Sequence, residues 1–421
     1  MKMAALKVAL LGLGTVGLGV FESITQRKEQ IEGLIGRKIE ISGVLIRNEA
    51  KARALNEGVF ISKDFQEVIT QRKPEVVIEA IGGIEPARTY IEYSLRNGCH
   101  VVSANKDCIA KHGRDLQRIA RENGVRFVYE ASVAGGIPVL RTLRELLAVN
   151  KVERIEAILN GTSNFILSMM RTEGASFSEA LALAQQKGYA EQDPTNDIEG
   201  FDAFYKAMIL SEWIYGEQPD WDEVQIKGIS SVTIDEIQAA EKIGLRVKHL
   251  VSIDESLHVE ISPKFVDADH PLSSVENVNN AVLIKTDLLG DLTLIGAGAG
   301  AKPTASAIVE DLISLYLTQD HPHLKSPKRT QNNIGEADPA LVKEQTSLLF
   351  YQNLSFREFT EIMSDLESSG TVLTYKEDGN LALSAVLFTG KLEGHAHPKL
   401  KSVYSAKVSS AISSAKKAIG V

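Results

Sequence analysis

Cysteine, net positive charge and long apolar runs are what this 421-residue sequence lacks. Its two cysteines, Cys99 and Cys108, cannot staple a chain of this length, so a reducing, cytoplasmic setting is the default reading. Lysine and arginine total 46 against 55 aspartate and glutamate, a formal charge of −9. That is the wrong sign for a nucleic-acid or anionic-membrane binder. No run of about 18 apolar residues occurs, so no membrane-spanning helix is expected. A secretory leader is the one trap. AALKVALLGLGTVGLG contains Lys7 inside its apolar run, is punctuated by glycines and is followed by no clean A-x-A-like cleavage site. The 32 glycines show no collagen-like period, and 44% hydrophobic with 24% charged residues is the composition of a globular chain. At roughly 100–200 residues per domain, two or three domains are expected.

The first half alternates short β-branched runs with helix-period segments. KVALL (7–11), EISGVLI (40–46), EVVIEAI (75–81), HVVSA (100–104) and VRFVYEA (125–131) read as strands, while 87–98 and 114–124 read as helices that stop at Asn-Gly. Continuous apolar strands alternating with helices predict an α/β, doubly wound parallel sheet over residues 1–150. From 151 to 302 a strand (152–159), a helix-rich block (163–243) and four strands (246–253, 257–266, 280–289, 291–296) predict an α+β domain. A helix over 303–318 joins the first domain, and the polar, Pro-rich 321–339 reads as a linker. Residues 335–421 hold a small α+β unit: SLLFYQN, a helix near 355–368, GTVLTYKE and LALSAVLFTG. The Ala-, Ser- and Lys-rich tail from Lys399 reads as a helix.

Gly12-Leu13-Gly14-Thr15-Val16-Gly17 fits G-x-G-x-x-G between a strand and a helix. Its glycines suit a tight turn, backbone approach to a pyrophosphate, and close helix–strand packing. The helix N-terminus then faces the anion. A Gly-rich turn without a ligand is the bland alternative. Strand 40–46 ends in Arg47-Asn48 with Lys51 and Arg53 behind, where NAD enzymes usually carry an acidic residue. A basic residue there suits a 2′-phosphate and so NADP; the alternative is NAD, with Arg47 merely pointing to solvent.

The second constellation is GYAEQDPTNDIEGFDAFYK (188–206), with five carboxylates in twelve residues followed by one lysine. Asp202 and Lys206 lie at i and i+4 on one helix face. Such a cluster can hold a substrate ammonium and supply a mobile proton, and burial can tune a lysine pKa. A calcium loop is disfavoured because the sixth position from Asp193 is Ile198, not Gly. A solvated charge run is the other alternative. His321 and His323, and His395 and His397, lack partners at zinc spacing and read as exposed loop residues. Cys108 sits near a helix start but has no evident base, and reads as a packed thiol.

Six segments in order make the chain resemble homoserine dehydrogenase: LGLGTVG, Ala104-Asn105-Lys106, EASVAGGIP (130–138), NGTSNFIL (160–167), the 188–206 segment and GAGAGAKPTASA (296–307). The resemblance covers roughly 5–320 and implies a Rossmann domain and a substrate-binding, dimerisation domain. It implies NAD(P)H-dependent interconversion of L-aspartate 4-semialdehyde and L-homoserine, in threonine, methionine and isoleucine biosynthesis. In that family Lys206 corresponds to the proton donor. Glu191 and Asp202 correspond to substrate-binding carboxylates, with Asp197, Tyr189 and Thr162 lining the pocket. Lys106 lies between nicotinamide and substrate. Gly188 and Gly300 approach the cofactor by backbone, and Ile81 and Gly82 end the third strand beside it. Glu130, Val133, Gly135 and Ile137 match a structural monovalent-cation loop, taken as sodium, that binds through main-chain carbonyls. The family also implies a homodimer, with a tetramer as the alternative.

Two departures stand out. Phe204-Tyr205 are bulky where small residues are common before the lysine. Many relatives end in a βαββαβ ACT module that senses threonine, but here the D-x-P-G-x-L signature is missing, so a divergent ACT-like module for packing or assembly is the competing reading. Two rival functions remain at this point, a related oxidoreductase for another amino-acid aldehyde and a non-catalytic NADPH sensor.

Overall fold

The computed structural model describes residues 4–47, 55, 58–317, 346–352, 362, 371–375, 383–389 and 400–407. β1 (Leu6–Leu11) turns at Gly12 into α1 (Thr15–Gln26). There follow α2 (Lys28–Ile35), β2 (Ile39–Leu45), β3 (Phe60–Ser62), α3 (Phe65–Arg72), β4 (Val76–Glu79), α4 (Ala87–Arg96), β5 (His100–Ser103), α5 (Lys106–Glu122) and β6 (Phe127–Val128). All pairings are parallel, in the order β3-β2-β1-β4-β5-β6. This is the doubly wound order whose direction of winding reverses between β1 and β4, where a crevice opens outside the strand ends.

The strands read as unbroken apolar runs because both faces are covered. Ala9, Leu11, Val77 and Val101 pack under Phe65, Ile91, Leu95 and Leu116, while Val8, Leu10, Ile78 and Val102 pack under Val20, Phe21, Ile308 and Leu312. The last two lie on α13 (Ala301–Leu317), which returns from the second half to close the first sheet. Gly19 of α1 is needed there, since a Cβ would stand 2.9 Å from the Ala301 carbonyl oxygen.

Three expectations change. β3 and α3 were not anticipated, because 60–62 is only three residues and α3 has a weak apolar face. The strand before Ile81 is therefore the fourth, and it stops at Glu79. The expected strand 125–131 is two residues long, because the chain enters α6 (Ala131–Ala134) directly after it; Gly135, with φ +57°, then ends that helix.

The second half begins after α7 (Val139–Arg141) and a π-helical turn at Thr142–Leu146. β7 (Val152–Ile158) leads to α8 (Gly161–Glu173), α9 (Phe177–Gln186), α10 (Thr195–Ile198) and α11 (Phe201–Tyr215). β8 (Gln225–Ile226), α12 (Ile234–Lys242), β9 (Leu245–Asp254), β10 (Val259–Asp267), β11 (Asn279–Thr286) and β12 (Gly290–Ala297) complete it before α13. Its sheet runs β12-β11-β7-β9-β10, all antiparallel.

β13 (Thr346–Gln352), β14 (Thr371–Tyr375), β15 (Leu383–Thr389) and β16 (Leu400–Lys407) form an antiparallel extension ordered β16-β13-β15-β14. The helix expected from Lys399 is thus a strand over 400–407. Lys401 and Val403 face out while Tyr404 and Ala406 are buried, a period of two that the Ala/Ser/Lys composition concealed. β16 docks parallel to β10 through Phe265↔Ala406 and Val266↔Lys407, with Tyr404 edge-on to Phe265 at 5.2 Å. The 321–339 linker, His321, His323, His395 and His397 lie outside the described residues.

Candidate active site

The β1–α1 turn uses its three glycines differently. Gly12 has φ +95°, and a Cβ there would stand 2.7 Å from the Ala80 carbonyl oxygen; one on Gly17 would stand 2.1 Å from that of Gly12. Those two are fixed by protein packing, with Leu13 buried between them and Thr15 and Val16 opening the helix. A Cβ on Gly14 meets nothing within 4 Å, and α1 starts there with no side-chain cap on its first amides. Free amides beside open space fit a pyrophosphate. Ile81, in the loop after β4, faces this turn, its Cα 3.3 Å from where a Gly12 Cβ would stand, and Gly82 follows it. Arg47 is exposed two residues beyond β2, and Asn48, Lys51 and Arg53 lie outside the described residues.

Across the crevice, α11 starts at Gly200, whose φ of +88° turns the chain while the backbone rests on His249, Ile226 and Ile261. Asp202 in the first turn and Lys206 one turn later are both buried. Lys206 Nζ donates to Asp202 Oδ2 at 2.6 Å and to the Leu159 carbonyl at 2.7 Å. Lys106, the first residue of α5, reaches from the parallel-sheet half to pair with Asp202 Oδ1 at 3.2 Å. Burial alone would raise the Asp202 carboxyl, but Lys206 and Lys106 outweigh it and hold it well below the usual carboxylate range. Burial would lower the Lys106 ammonium; Asp202 and Asp107 reverse that and raise it.

Asn160 was not singled out from the sequence, although it organises the pocket. It caps α8 by accepting from Ser163 N at 2.7 Å, and its Nδ2 donates to Asp197 Oδ1 at 2.7 Å and Asp202 Oδ2 at 2.8 Å. An Asn at a strand end before Gly-Thr-Ser is the N-cap pattern that could have drawn attention to it. Burial pushes the half-buried Asp197 carboxyl up against the pull of Asn160. Thr162 Oγ1 donates to the Tyr189 carbonyl at 2.7 Å, and the Tyr189 ring meets Phe165 edge-on at 5.1 Å. Gly188 turns at φ +73° with open space around it. Glu191 is exposed and is not one of the groups bonded to Asp202. The bulky pair before Lys206 is absorbed by Trp221: Phe204 meets its ring edge-on at 5.1 Å and Tyr205 at 6.1 Å.

Glu130 immediately precedes α6, Val133 lies on it, and Gly135 and Ile137 lie in the turn after it. Gly135 is required, because a Cβ would stand 2.3 Å from the Gly298 carbonyl oxygen. The Glu130 carboxylate is occupied by the amides of Leu140 and Arg141 at 2.8 and 2.7 Å, and burial with Asp311 nearby pushes it up to about 7. Its main-chain carbonyl accepts a long 3.5 Å bond from Val133 N. Gly300, with φ +111°, precedes α13. Among the described residues no group of three or more His, Cys, Asp or Glu is arranged to hold a metal. No helix among them is long and apolar enough to cross a membrane. Cys99 and Cys108 are buried free thiols, and burial pushes Cys108 up to about 12.

A family model described as "Homoserine dehydrogenase" matches residues 138–313, and one described as "Homoserine dehydrogenase, NAD binding domain" matches 12–130. The homoserine dehydrogenase of Lactococcus lactis subsp. lactis is 40% identical over 314 residues, 73% of each chain. That of Pseudomonas aeruginosa is 39% identical over 369 residues, 86% of this chain and 85% of its own. A homoserine dehydrogenase structure from Thiobacillus denitrificans superposes with a TM-score of 0.83 at 33% identity, covering 97% of this chain and 99% of that one. A hyperthermophilic archaeal homoserine dehydrogenase mutant in complex with NADPH matches with a TM-score of 0.65 at 29% identity, over 76% of this chain and 100% of its own.

Proposed function

This chain belongs to the homoserine dehydrogenase family, and on that premise we propose which of its residues carry the reaction. The enzyme is an oxidoreductase that takes a nicotinamide cofactor and a small-molecule substrate. It interconverts L-aspartate 4-semialdehyde and L-homoserine, a step toward threonine, methionine and isoleucine. When bound, the nicotinamide supplies or receives the hydride at the substrate aldehyde carbon.

Lys206 is the proton donor to the developing alkoxide and the acceptor in reverse. The observation that carries this reading is the buried Lys206–Asp202 pair at 2.6 Å, joined at 3.2 Å by the half-buried Lys106 from the other half of the molecule. Asp202 aims Lys206 through their 2.6 Å bond, and Asn160 fixes Asp202 and Asp197 in turn. Asp197, Asp202 and Glu191 hold the substrate ammonium. Tyr189 and Thr162 bound the pocket, and Lys106 stands between substrate and cofactor. Gly12, Leu13, Gly14, Thr15, Val16 and Gly17 cradle the pyrophosphate, with Ile81, Gly82, Gly188 and Gly300 along the rest of the cofactor.

Arg47 selects NADPH over NADH; the archaeal relative complexed with NADPH and the place of Arg47 just beyond the end of β2 support this. The loop of Glu130, Val133, Gly135 and Ile137 holds a structural sodium through main-chain carbonyls, which the occupied Glu130 side chain leaves as its donors. The chain divides into a cofactor domain at 1–150 with the 303–318 helix, a substrate and dimerisation domain at 151–302, and an ACT-like module at 335–421. It works in the cytoplasm as a homodimer. The test is NADPH oxidation on adding aspartate semialdehyde against a panel of small aldehydes. Equal turnover of unrelated aldehydes would defeat the substrate assignment.

A further inference from the structure

Glu79, the last residue of β4, is fully buried at the point where the strand order reverses. Its neighbours Val77 and Ile78 are apolar and equally buried. Desolvating a carboxyl there costs stability that a valine or leucine would not. The carboxyl is instead bonded on every side. Ile81 N and Gly82 N donate to Oε1 at 2.7 and 3.4 Å, and Ser103 Oγ donates to Oε2 at 2.5 Å. Asn105 Nδ2 approaches Oε1 at 3.4 Å.

These partners belong to two different structures. Ile81 and Gly82 open the loop that faces the glycine turn, and Gly82 and Gly83 both have positive φ, at +80° and +73°. Ser103 ends β5 and Asn105 caps α5: Asn105 N donates to Ser103 Oγ at 3.1 Å, and Asn105 Oδ1 accepts from Cys108 N, also at 3.1 Å. Asn105 Nδ2 also donates to the Gly83 carbonyl at 2.6 Å, which closes the circuit. The next residue is Lys106, paired with Asp202 across the crevice.

We propose that Glu79 is a positioning residue that locks the cofactor-side loop 80–83 to the start of α5, so that Lys106 is set against Asp202 in register with the bound cofactor. A slack loop would weaken the dinucleotide, and a shifted cap would move Lys106 out of the pocket. This rests on the reading of Ile81 and Gly82 as cofactor contacts and of Lys106 as a pocket residue.

The test uses Glu79→Gln, which keeps the shape but offers Ser103 an amide where it needs an acceptor. NADPH affinity is read by fluorescence titration and kcat/KM for aspartate semialdehyde in wild-type and Lys106→Met backgrounds. Glu79→Gln is expected to weaken NADPH and to lower kcat/KM each by about tenfold, the scale of a buried hydrogen-bonding group left without its partner. In Lys106→Met the further loss of kcat/KM should shrink to about twofold while the NADPH effect persists, because coupled sites are non-additive. Ser103→Ala, which leaves the carboxyl in place, should reproduce the pattern at about threefold. An unchanged NADPH affinity, or equal losses of kcat/KM in both backgrounds, overturns the role of Glu79 alone. If Lys106→Met itself leaves kcat/KM unchanged, the placement of Lys106 in the pocket fails and takes the proposal with it.

Discussion

At the β1–α1 turn the chain makes room by leaving side chains out, while on α11 it crowds two lysines onto one buried aspartate. Gly12 and Gly17 are glycines because backbone carbonyls occupy the space a Cβ would need, and Gly14 because the space beside it is left open. Nothing there is charged, and the turn depends on six consecutive residues. The α11 site depends on residues drawn from 106, 159, 160, 197, 202 and 206, each useless without the others. One site is geometry held locally; the other is electrostatics assembled from afar. Damage should therefore spread differently, through packing in the first and through charge balance in the second.

The sharpest break is at α11. Lys206→Ala should cut kcat by about 10³-fold, within the range of general acid–base catalysis, while NADPH titrates as in the wild type. A near-normal kcat would remove Lys206 from the chemistry.

Acid should strain the same region through His249, which is buried under Gly200 and bonded to the Lys227 carbonyl at 3.0 Å. Burial pulls its imidazole down from 6.5 to about 4. The unfolded chain thus binds a proton that the folded one refuses. The corresponding stability is complete above pH 6.5 and is lost as pH falls toward 4, by roughly 2–3 kcal/mol. Urea midpoints of His249→Gln should fall less steeply across that window; parallel curves would discard this account.

The glycine turn should respond in graded fashion. Gly17→Ala must displace the Gly12 backbone and should lower stability by about 1–3 kcal/mol, with NADPH affinity falling too. Gly14→Ala has room, so stability should hold within about 0.5 kcal/mol while NADPH weakens. If both variants lose only stability, the turn is packing and not a phosphate cradle.

The smallest effect is expected at Arg47, which is exposed. Arg47→Ala should weaken NADPH about fivefold, as a partly solvated charge contact allows, and leave NADH unchanged. Equal affinities for both cofactors in the variant and the wild type would show that Arg47 only faces solvent.

Much of this was legible in the residues. The first four strand runs expected in the first sheet, the glycine turn, and the i, i+4 pair Asp202–Lys206 follow from local patterns that folding leaves largely in place. β3 escaped notice because three residues give no period, and β16 because its Ala, Ser and Lys content resembles a helix until Tyr404 and Ala406 are seen to face inward. Glu191 stood out by its place in the acidic segment and by the family resemblance, yet it is exposed and apart from the groups bonded to Asp202. Asn160 did not stand out, since its importance comes from bonds to residues 37 and 42 positions away.

By itself the sequence determined the parallel sheet, its phosphate-ready turn and the family to which the chain belongs, because these rest on short-range periodicity and on contiguous motifs. Only the tertiary structure decided that Lys106 meets Asp202 from the opposite side of the crevice. It alone decided that α13 returns to close the first sheet and that Glu79 bridges a loop and a helix start. Each of these is a contact between segments distant in sequence, and linear spacing carries no record of which buried charges will find one another.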